Sequence, residues 1–313
     1  MILCTNERQW PDCGTVLALG TFDGVHIGHK SLIRKARSIA EAEKLTCVVY
    51  TYSSHPASVF SPERIPPLLE TPEEKVRSLA LAGAHAAILR PFTREYAALS
   101  PEDFIRMLMR TLHPQHIVVG YNYSFGLRGS GKAEDLLRMG DAYGFRAHIM
   151  EEVALDGKTV SSTRIREAIA HGDMCDALRC LGRYYSLTGR IVQGRRIGRT
   201  IGFETANIPY PSGKVIPGEG VYAGFACLND AVYPAAINIG SHPTVSGVPG
   251  IEAHLLDYPG GDLYGEAMRI GIAGRIREER RFDTLDSLKK QIALDCENTR
   301  RMLSAAKRQA PVM

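Results

Sequence analysis

The sequence predicts an α/β protein in two parts: a parallel sheet covered by helices, then a small antiparallel β-barrel followed by a helix. Strand-like and helix-like segments alternate from about residue 17 to residue 153, as in a parallel sheet whose strands are joined by helices. From residue 185 to about 283, short strand-like segments are separated by glycine and proline clusters, which is typical of a small barrel. The change of pattern predicts two domains, 1–182 and 183–313.

The composition is that of an ordinary globular protein of a reducing compartment. The chain has 313 residues and a net charge of +4, which is too small to indicate a nucleic-acid partner. Its seven cysteines include no C-x-x-C pair, so we expect free thiols. No apolar run is long enough to span a membrane, and the N-terminus lacks the features of a signal peptide. We therefore expect a cytoplasmic protein without membrane or nucleic-acid partners, while the oligomeric state stays open.

Apolar runs and capping residues define the elements of the first part. Thr71 and Pro72 predict the start of one helix, and Ser100 predicts the N-cap of another. A further helix contains the apolar and small residues from Leu32 onward. The predicted strands are 16–19, 46–52, 86–91, 116–120 and 146–153, and the remaining predicted helices are 73–82, 101–112 and 160–169.

In the second part a short helix precedes the strands and a long one follows them. Gly182 ends the short helix, and helical periodicity returns only after the barrel. The predicted strands are 185–192, 220–228, 232–239, 251–256 and 267–276, and the predicted helices are 173–181 and 286–303.

The loop GTFDGVHIGH at 20–29 joins the first predicted strand to the first helix. Its glycines allow the backbone to approach a ligand closely, and the helix N-terminus favours a phosphate. His26 and His29 lie three residues apart on one side of the helix start, which indicates a triphosphate over the loop. The spacing differs from the G-x-G-x-x-G dinucleotide fingerprint. Metal ligation by the two histidines, or an ordinary turn with two surface histidines, are the alternatives.

The same loop resembles the H-x-G-H loop of the nucleotidyltransferase superfamily, and in its GTFDGVH form it is most similar to bacterial FAD synthetases. The resemblance implies a Rossmann-like nucleotidyltransferase domain that uses ATP. It also implies that His26 and His29 are catalytic and stabilise charge on the phosphates. The nucleotide-binding residues implied in this loop are Gly20, Thr21, Phe22, Asp23 and Gly24.

A second glycine-rich loop, GYNYSFGLRGSG, covers residues 120–131. Its end, GLRGSGKA, matches a P-loop except that Ala133 replaces the Ser or Thr that would hold magnesium. The whole stretch resembles the G-x-[DN]-F-x-F-G loop of FAD synthetases, with Tyr123 where phenylalanine is usual. The resemblance implies flavin binding by Asn122, through a polar contact, and by Phe125, as an aromatic wall. A glycine-rich surface turn is the alternative.

The stretch VSSTRIREAI at 160–169 predicts a helix with arginines in its first turn. Arginines there oppose the helix dipole, an arrangement that an anion bound between them would explain. The stretch resembles the S-S-T-x-x-R motif of the same superfamily. The resemblance implies nucleotide binding by Ser162, Thr163 and Arg164, and a catalytic role for Arg166.

Within the barrel part, GRIVQGRRIGRTIGFETANI at 189–208 is rich in glycine and arginine. Composition alone favours a solvated charge run. The stretch resembles the G-x-x-x-G-R-x-x-G-F-P-T-A-N segment of riboflavin kinases, with Glu204 in place of the proline. The resemblance implies that Thr205 and Asn207 hold Mg²⁺, whose preferred ligands are oxygens. The nucleotide-binding residues that it implies here are Gly194, Gly198, Arg199 and Gly202.

Further matches to the riboflavin kinase family follow in the family's order, among them IEAHLLD at 251–257 and IREERRF at 276–282. The first implies that Glu252 is the catalytic base for a hydroxyl attacking a phosphoryl group. The second implies that Arg277 binds flavin. A charge on an edge strand and a solvated basic run are the respective alternatives.

Together the motifs imply a bifunctional riboflavin kinase and FMN adenylyltransferase. Such an enzyme phosphorylates riboflavin to FMN with ATP and Mg²⁺, then adenylylates FMN to FAD and releases pyrophosphate. Glu204 motivates one alternative, a monofunctional FAD synthetase whose barrel no longer phosphorylates riboflavin. A non-catalytic flavin-binding regulator, or a tRNA-binding protein built on the superfamily fold, is a second alternative.

Overall fold

The computed structural model describes residues 1–4, 10, 13–193, 205–229, 231–240 and 250–306. The chain divides into two compact units, Met1–Ser162 and Thr163–Met313.

A six-stranded parallel sheet forms the centre of the first unit. Its strands are β1 (Ile2–Cys4), β2 (Thr15–Leu19), β3 (Thr46–Tyr52), β4 (Ala86–Arg90), β5 (Pro114–Gly120) and β8 (Arg146–Met150), in the order β1-β4-β3-β2-β5-β8. Two hairpins lie outside this sheet, formed by β6 (Ser124–Phe125) with β7 (Gly131–Lys132) and by β9 (Ala154–Leu155) with β10 (Lys158–Thr159). The parallel sheet expected from the alternating pattern is confirmed. The sequence reading missed β1, a three-residue strand at the sheet edge.

Six helices belong to the first unit, and a seventh begins at its end. They are α1 (Ile27–Glu43), α2 (Ala57–Phe60), α3 (Pro72–Ala82), α4 (Arg94–Ala97), α5 (Pro101–Leu112), α6 (Asp135–Tyr143) and α7 (Ser162–His171). Short 3₁₀ turns occupy Pro62–Arg64 and Leu127–Gly129. The predicted caps are confirmed, since the Thr71 hydroxyl accepts from the Glu74 amide and the Ser100 hydroxyl from the Asp103 amide. Helix α6 was missed.

Both faces of the parallel sheet are buried. Successive residues of a strand point to opposite faces, and β2 therefore contributes Leu17 and Leu19 to one core and Val16 and Ala18 to the other. Helix α5 packs on the first face, and helices α1 and α3 pack on the second. This burial explains why β2 is apolar without the alternation of a half-exposed strand.

The strand order reverses at β2, which has β3 on one side and β5 on the other. In open parallel sheets the crevice outside the carboxyl ends of the strands at such a reversal is the usual ligand site. Strand β2 leads into the loop at Gly20, and β5 ends at Gly120. The reversal thus places the two glycine-rich loops of the sequence side by side.

The second unit contains an antiparallel six-stranded barrel. Its strands are β11 (Tyr185–Arg190), β12 (Ala206–Pro209), β13 (Gly220–Leu228), β14 (Ala231–Gly240), β15 (Gly250–Leu255) and β16 (Ala267–Arg277), in the order β11-β16-β13-β14-β15-β12. A bridge between Val192 and Asn207 joins the two edge strands and nearly closes the barrel. The predicted barrel is confirmed. Gly224 permits the close approach of β13 to β16, because a Cβ there would lie 2.2 Å from the Gly271 carbonyl oxygen.

Two more helices accompany the barrel, α8 (Met174–Leu181) before it and α9 (Leu285–Ala306) after it. Arg277 at the end of β16 donates to both carboxylate oxygens of Asp295 on α9, with Nη2–Oδ2 at 2.8 Å. Asp295 is only 2% exposed, so this bidentate pair fastens the terminal helix to the barrel. Among the described residues, no helix has the length and apolar character needed to cross a membrane.

Replacing Thr71 with alanine should destabilise the first unit by about 1 kcal/mol, because it removes the hydroxyl of the capping box that begins α3. Thr71→Ser, which keeps the hydroxyl, should be close to wild type. Trp10 is the chain's single tryptophan and packs against the first-unit core, so its fluorescence during denaturant unfolding reports on this unit. Equal losses in the alanine and serine variants would contradict the assigned cap.

Candidate functional site

The loop between β2 and α1 has an unusual backbone. Phe22 and Val25 have positive φ values of 46° and 34°, a region that bulky side chains rarely adopt, and Gly24 has φ 86°. Buried hydrogen bonds hold this backbone in place. The Asp23 carboxylate accepts from the Leu69 amide at 3.1 Å, and the Thr51 hydroxyl donates to the Thr21 carbonyl at 2.9 Å. These hydrogen bonds thus anchor the loop, and several of its residues line a cavity.

The two histidines of the loop form a stacked pair. Their ring centroids are 3.6 Å apart, and Nδ1 of His26 accepts from the His29 backbone N–H at 3.3 Å as the N-cap of α1. Nδ1 of His29 is buried and has no hydrogen-bond partner within the described part of the chain. An unpartnered buried nitrogen beside a helix N-terminus is suited to a phosphate oxygen.

His29 is held in its neutral form. Burial lowers its pKa well below the usual value of 6.5, and electrostatic interactions with His26 and with the Lys75 ammonium lower that pKa further. A neutral imidazole can still donate one N–H to a phosphate oxygen. Toward a phosphate, a neutral His29 would act as an N–H donor, and its role in charge stabilisation stays a prediction.

A cavity of about 730 Å³ opens beside this loop, within the size range of small-molecule sites. Six of the predicted site residues line it: Gly20, Thr21, Phe22, His29, Asn122 and Phe125. Four other predicted residues do not line it: Asp23, Gly24 and His26 are buried and Ser162 is half-buried. The Ser162 hydroxyl donates to the Asp23 carbonyl at 2.9 Å, so the third motif meets the first through this bond.

Aromatic side chains form one wall of the cavity. The Tyr52 and Tyr96 hydroxyls are 3.3 Å apart, and the Phe104 and Phe125 rings are 5.5 Å apart. Tyr123 stacks on Phe125 with centroids 5.8 Å apart, so it preserves the aromatic face expected at this position. Such a surface suits a planar ring system.

The second glycine-rich loop is not built as a P-loop. It folds into the β6–β7 hairpin with a 3₁₀ turn at its tip, and Lys132 donates to the Gly129 carbonyl at 2.7 Å. Gly126 has φ 73°, and a Cβ there would lie 2.7 Å from the backbone nitrogen of Pro101. The tight turn brings Phe125 and Asn122 to the cavity.

The remaining members of the S-S-T-x-x-R motif belong to the second unit. Arg164 forms a bidentate pair with Asp176 at the start of α8, with Nε–Oδ2 at 2.8 Å. The anion beside Arg164 is therefore a carboxylate of the chain. Thr163 is exposed and Arg166 is half-buried on α7. Their roles toward a nucleotide stay predictions.

In the barrel, three oxygen-bearing side chains lie together. The Thr205 hydroxyl donates to Oε1 of Glu252 at 2.6 Å, and Asn207 on β12 is the direct strand partner of Glu252 on β15. Hydroxyl, amide and carboxylate oxygens fit Mg²⁺, and the Thr205 oxygen keeps its lone pairs because it acts as the donor. Within the described ranges, no group of three or more His, Cys, Asp and Glu residues is arranged to hold a metal ion.

Of the other predicted barrel residues, Arg277 lies within the described part of the chain. The guanidinium of Arg277 donates to Asp295 and to the Glu278 carbonyl, and its role toward flavin stays a prediction. Outside the described residues lie Gly194, Gly198, Arg199, Gly202 and Glu204.

The cavity also contains residues that sequence reasoning did not assign. His55 lines it, and its Nδ1 accepts from the Ala57 amide at 3.1 Å. Tyr52, Phe92 and Tyr96 contribute to its aromatic wall. His55 lies three residues after Tyr52, the last residue of β3, so its place after a central parallel strand was a usable signal. Phe92 and Tyr96 lie beyond β4, and no motif marked them.

Two family models match the chain in succession. One, described as FAD synthetase, matches residues 8–164, and the other, described as riboflavin kinase, matches residues 181–303. The bifunctional riboflavin kinase/FMN adenylyltransferase of Escherichia coli strain K12 is 36% identical over 93% of each chain. That of Bacillus subtilis strain 168 is also 36% identical over 93% of each chain. A crystal structure titled macrolide-efflux protein from Streptococcus pneumoniae has a TM-score of 0.88 at 31% identity and covers 96% of this chain and 98% of that one.

Lowering the pH below 6.5 should destabilise the first unit through His29. The unfolded chain takes up a proton near pH 6.5, whereas the folded His29 does not, so stability is lost as the pH falls. The slope from this residue is at most about 1.4 kcal/mol per pH unit. Trp10 fluorescence in denaturant at several pH values, for wild type and His29→Asn, measures it. Identical slopes in the two proteins would contradict a buried neutral His29.

Proposed function

Because this chain belongs to the family of bifunctional riboflavin kinase/FMN adenylyltransferases, we propose that it converts riboflavin to FMN and FMN to FAD with two molecules of ATP. One observation in each half supports the proposal. In the first unit, the loop 20–29 lies beside an aromatic cavity. In the barrel, the Glu252 carboxylate accepts a hydrogen bond from the hydroxyl of Thr205 in the motif that resembles P-T-A-N. Each half therefore offers a reaction centre of its own.

In the adenylyl transfer, a phosphate oxygen of FMN attacks the α-phosphorus of ATP, and pyrophosphate leaves. The attacking phosphate is already ionised, so the step needs no general base. His26 and His29, together with the N–H groups at the start of α1, would stabilise negative charge as it moves to the leaving pyrophosphate. The neutral state of His29 supports donation of an N–H rather than proton removal.

The large cavity is the proposed site of the flavin ring. Its aromatic wall supports stacking by Phe125, and Asn122 offers an amide for a polar edge of the ring. We propose that the backbone of Gly20 to Gly24 binds the ATP phosphates. From the motif alone we also propose nucleotide binding by Ser162, Thr163 and Arg164 and a catalytic role for Arg166.

In the kinase reaction, the terminal ribityl hydroxyl of riboflavin attacks the γ-phosphorus of ATP, and ADP leaves. This hydroxyl carries a proton, so a base is needed, and Glu252 would accept it. The hydrogen bond from the Thr205 hydroxyl to Oε1 of Glu252 places this carboxylate beside the motif residues. We propose that Thr205 and Asn207 hold Mg²⁺, which when bound neutralises phosphate charge. Arg277 is the proposed flavin contact, and the proposed nucleotide contacts are Gly194, Gly198, Arg199 and Gly202.

We propose the division between the two catalytic domains at residues 182 and 183, and the cytoplasm as the compartment. All seven cysteines are free thiols in the structure, which fits a reducing environment. The test of both activities is chromatography of the flavins formed from riboflavin or from FMN with ATP and Mg²⁺. FAD from both starting flavins is the expected result. FAD from FMN alone would indicate a barrel that has lost its kinase activity, and no product from either would overturn the proposal.

Substitutions in the two halves should separate the two reactions. His29→Ala should lower the turnover of FMN to FAD by roughly 100-fold or more, with a much smaller effect on FMN affinity, because it removes a donor to the transition state. The same variant should still convert riboflavin to FMN at the wild-type rate. Glu252→Gln should show the opposite pattern. Loss of both reactions in either variant, with the fold intact, would contradict separate centres.

Thr205→Val should raise the Mg²⁺ concentration needed for half-maximal kinase rate by about tenfold or more, because valine has the same shape but no ligand oxygen. Thr205→Ser keeps the hydroxyl and should stay near wild type. FAD formation from FMN is the internal control and should not change. An unchanged Mg²⁺ dependence in the valine variant would exclude Thr205 as a ligand.

A further inference from the structure

A buried lysine lies behind the loop that carries the two histidines. Lys75 is on the first turn of α3 and is 8% exposed. Its ammonium donates to the Thr21 carbonyl at 3.0 Å and to the Tyr52 carbonyl at 3.1 Å. Thr21 follows β2 and Tyr52 ends β3, so one cation joins the carboxyl ends of two neighbouring strands.

Packing alone does not explain a charge at this position. Burial penalises an ammonium and lowers the pKa of Lys75, while the carboxylates of Asp23 and Glu70 act in the opposite direction. A buried ion pair often adds little net stability compared with apolar residues of similar volume. An unbranched apolar side chain would fill the same space at a lower desolvation cost. The charge therefore points to a role beyond filling the core.

The strained loop needs such an anchor. Backbone at positive φ in bulky residues such as Phe22 and Val25 persists only where the surroundings hold it. The Thr21 carbonyl accepts from two side chains, the Thr51 hydroxyl and the Lys75 ammonium. Thr51 is a residue of β3, so its hydroxyl already ties Thr21 to the end of that strand, and the lysine adds a second donor that also bonds the Tyr52 carbonyl. Losing the lysine would leave the Thr21 carbonyl with one of its two side-chain donors and would weaken the hold on the segment that sets the position of His26 and His29.

The ammonium also acts on His29 through space. Its positive charge is one of the causes that lower the pKa of His29, after burial and the charge of His26. The same field would attract the phosphates of a nucleotide lying over the loop. Lys75 is not among the residues that line the large cavity, so its action on a ligand there is indirect.

We infer that Lys75 is a positioning residue for FMN adenylylation, whose buried ammonium holds the strained loop 20–26 against β3 and adds positive potential at His29. The inference rests on the proposed adenylyl transfer. It assigns Lys75 no contact with FMN or ATP and no part in the kinase reaction.

The first test compares Lys75→Met with Arg77→Met. Both variants remove one positive charge from α3, but Arg77 is on the exposed face of the helix. Lys75→Met should lower kcat/KM for ATP in FAD formation by roughly 10- to 100-fold, since small displacements of catalytic groups have effects of this size. Arg77→Met should stay within twofold of wild type, and FMN formation from riboflavin should be unchanged in both.

Two further measurements separate positioning from a general loss of structure. The pKa of His29, followed by NMR of its ring, should rise in Lys75→Met and stay unchanged in Arg77→Met. In the His29→Ala background, Lys75→Met should cost much less than in wild type, because the two residues act through the same loop. If Trp10 fluorescence shows that Lys75→Met is unfolded, Lys75→Gln, which keeps a hydrogen-bond donor without the charge, takes its place.

The outcomes distinguish the two proposals. If the wild-type chain forms no FAD, the proposed function fails, and the His29 titration still decides whether Lys75 acts on this loop. If FAD formation by Lys75→Met equals that of Arg77→Met, the positioning role is overturned. An equal fold-loss with and without His29, together with an unshifted His29 pKa, would overturn it as well.

Discussion

The architecture of the first unit depends on a strained turn between a buried strand and a helix. Phe22 and Val25 adopt positive φ values, and the surrounding structure maintains them through bonds to Asp23 and Thr21. In return, the turn presents a helix N-terminus and two stacked imidazoles at the edge of a cavity. The reversal of strand order at β2 then adds the loop after β5, which brings Asn122 and Phe125 to the same cavity. The strained turn and the reversal of strand order thus bring both glycine-rich loops to one cavity.

The two units offer different chemistry because the two proposed nucleophiles differ in protonation. An FMN phosphate is already ionised and needs only charge stabilisation, which suits a neutral imidazole in a buried, positively biased environment. A ribityl hydroxyl must lose a proton, which requires a carboxylate such as Glu252. In the structure that carboxylate accepts a hydrogen bond from the Thr205 hydroxyl.

Several features could be predicted from local sequence alone. Buried strands such as β2 and β3 are mostly apolar, and the caps at Thr71 and Ser100 follow simple hydrogen-bonding preferences. Strand β1 escaped prediction because three residues at a sheet edge leave no periodic signal. Helix α6 was missed as well, because the glycine-rich segment 120–131 just before it was interpreted only as a loop. The partner of Arg164 was also beyond local reasoning, since Asp176 lies on the next helix.

The sequence by itself determined the order of the main elements, the two-part architecture and the positions of the glycine-rich loops 20–29 and 120–131. These features depend on residues close together in the chain. Only the tertiary structure decided which residues share a site. It brought Lys75 of α3 to the loop after β2, and it gathered Tyr52, Phe92 and Tyr96 around the same cavity as Phe125. The physical reason is that burial, buried charge and ring contacts arise between residues distant in sequence. Local patterns of hydrophobicity and capping carry no information about such pairs.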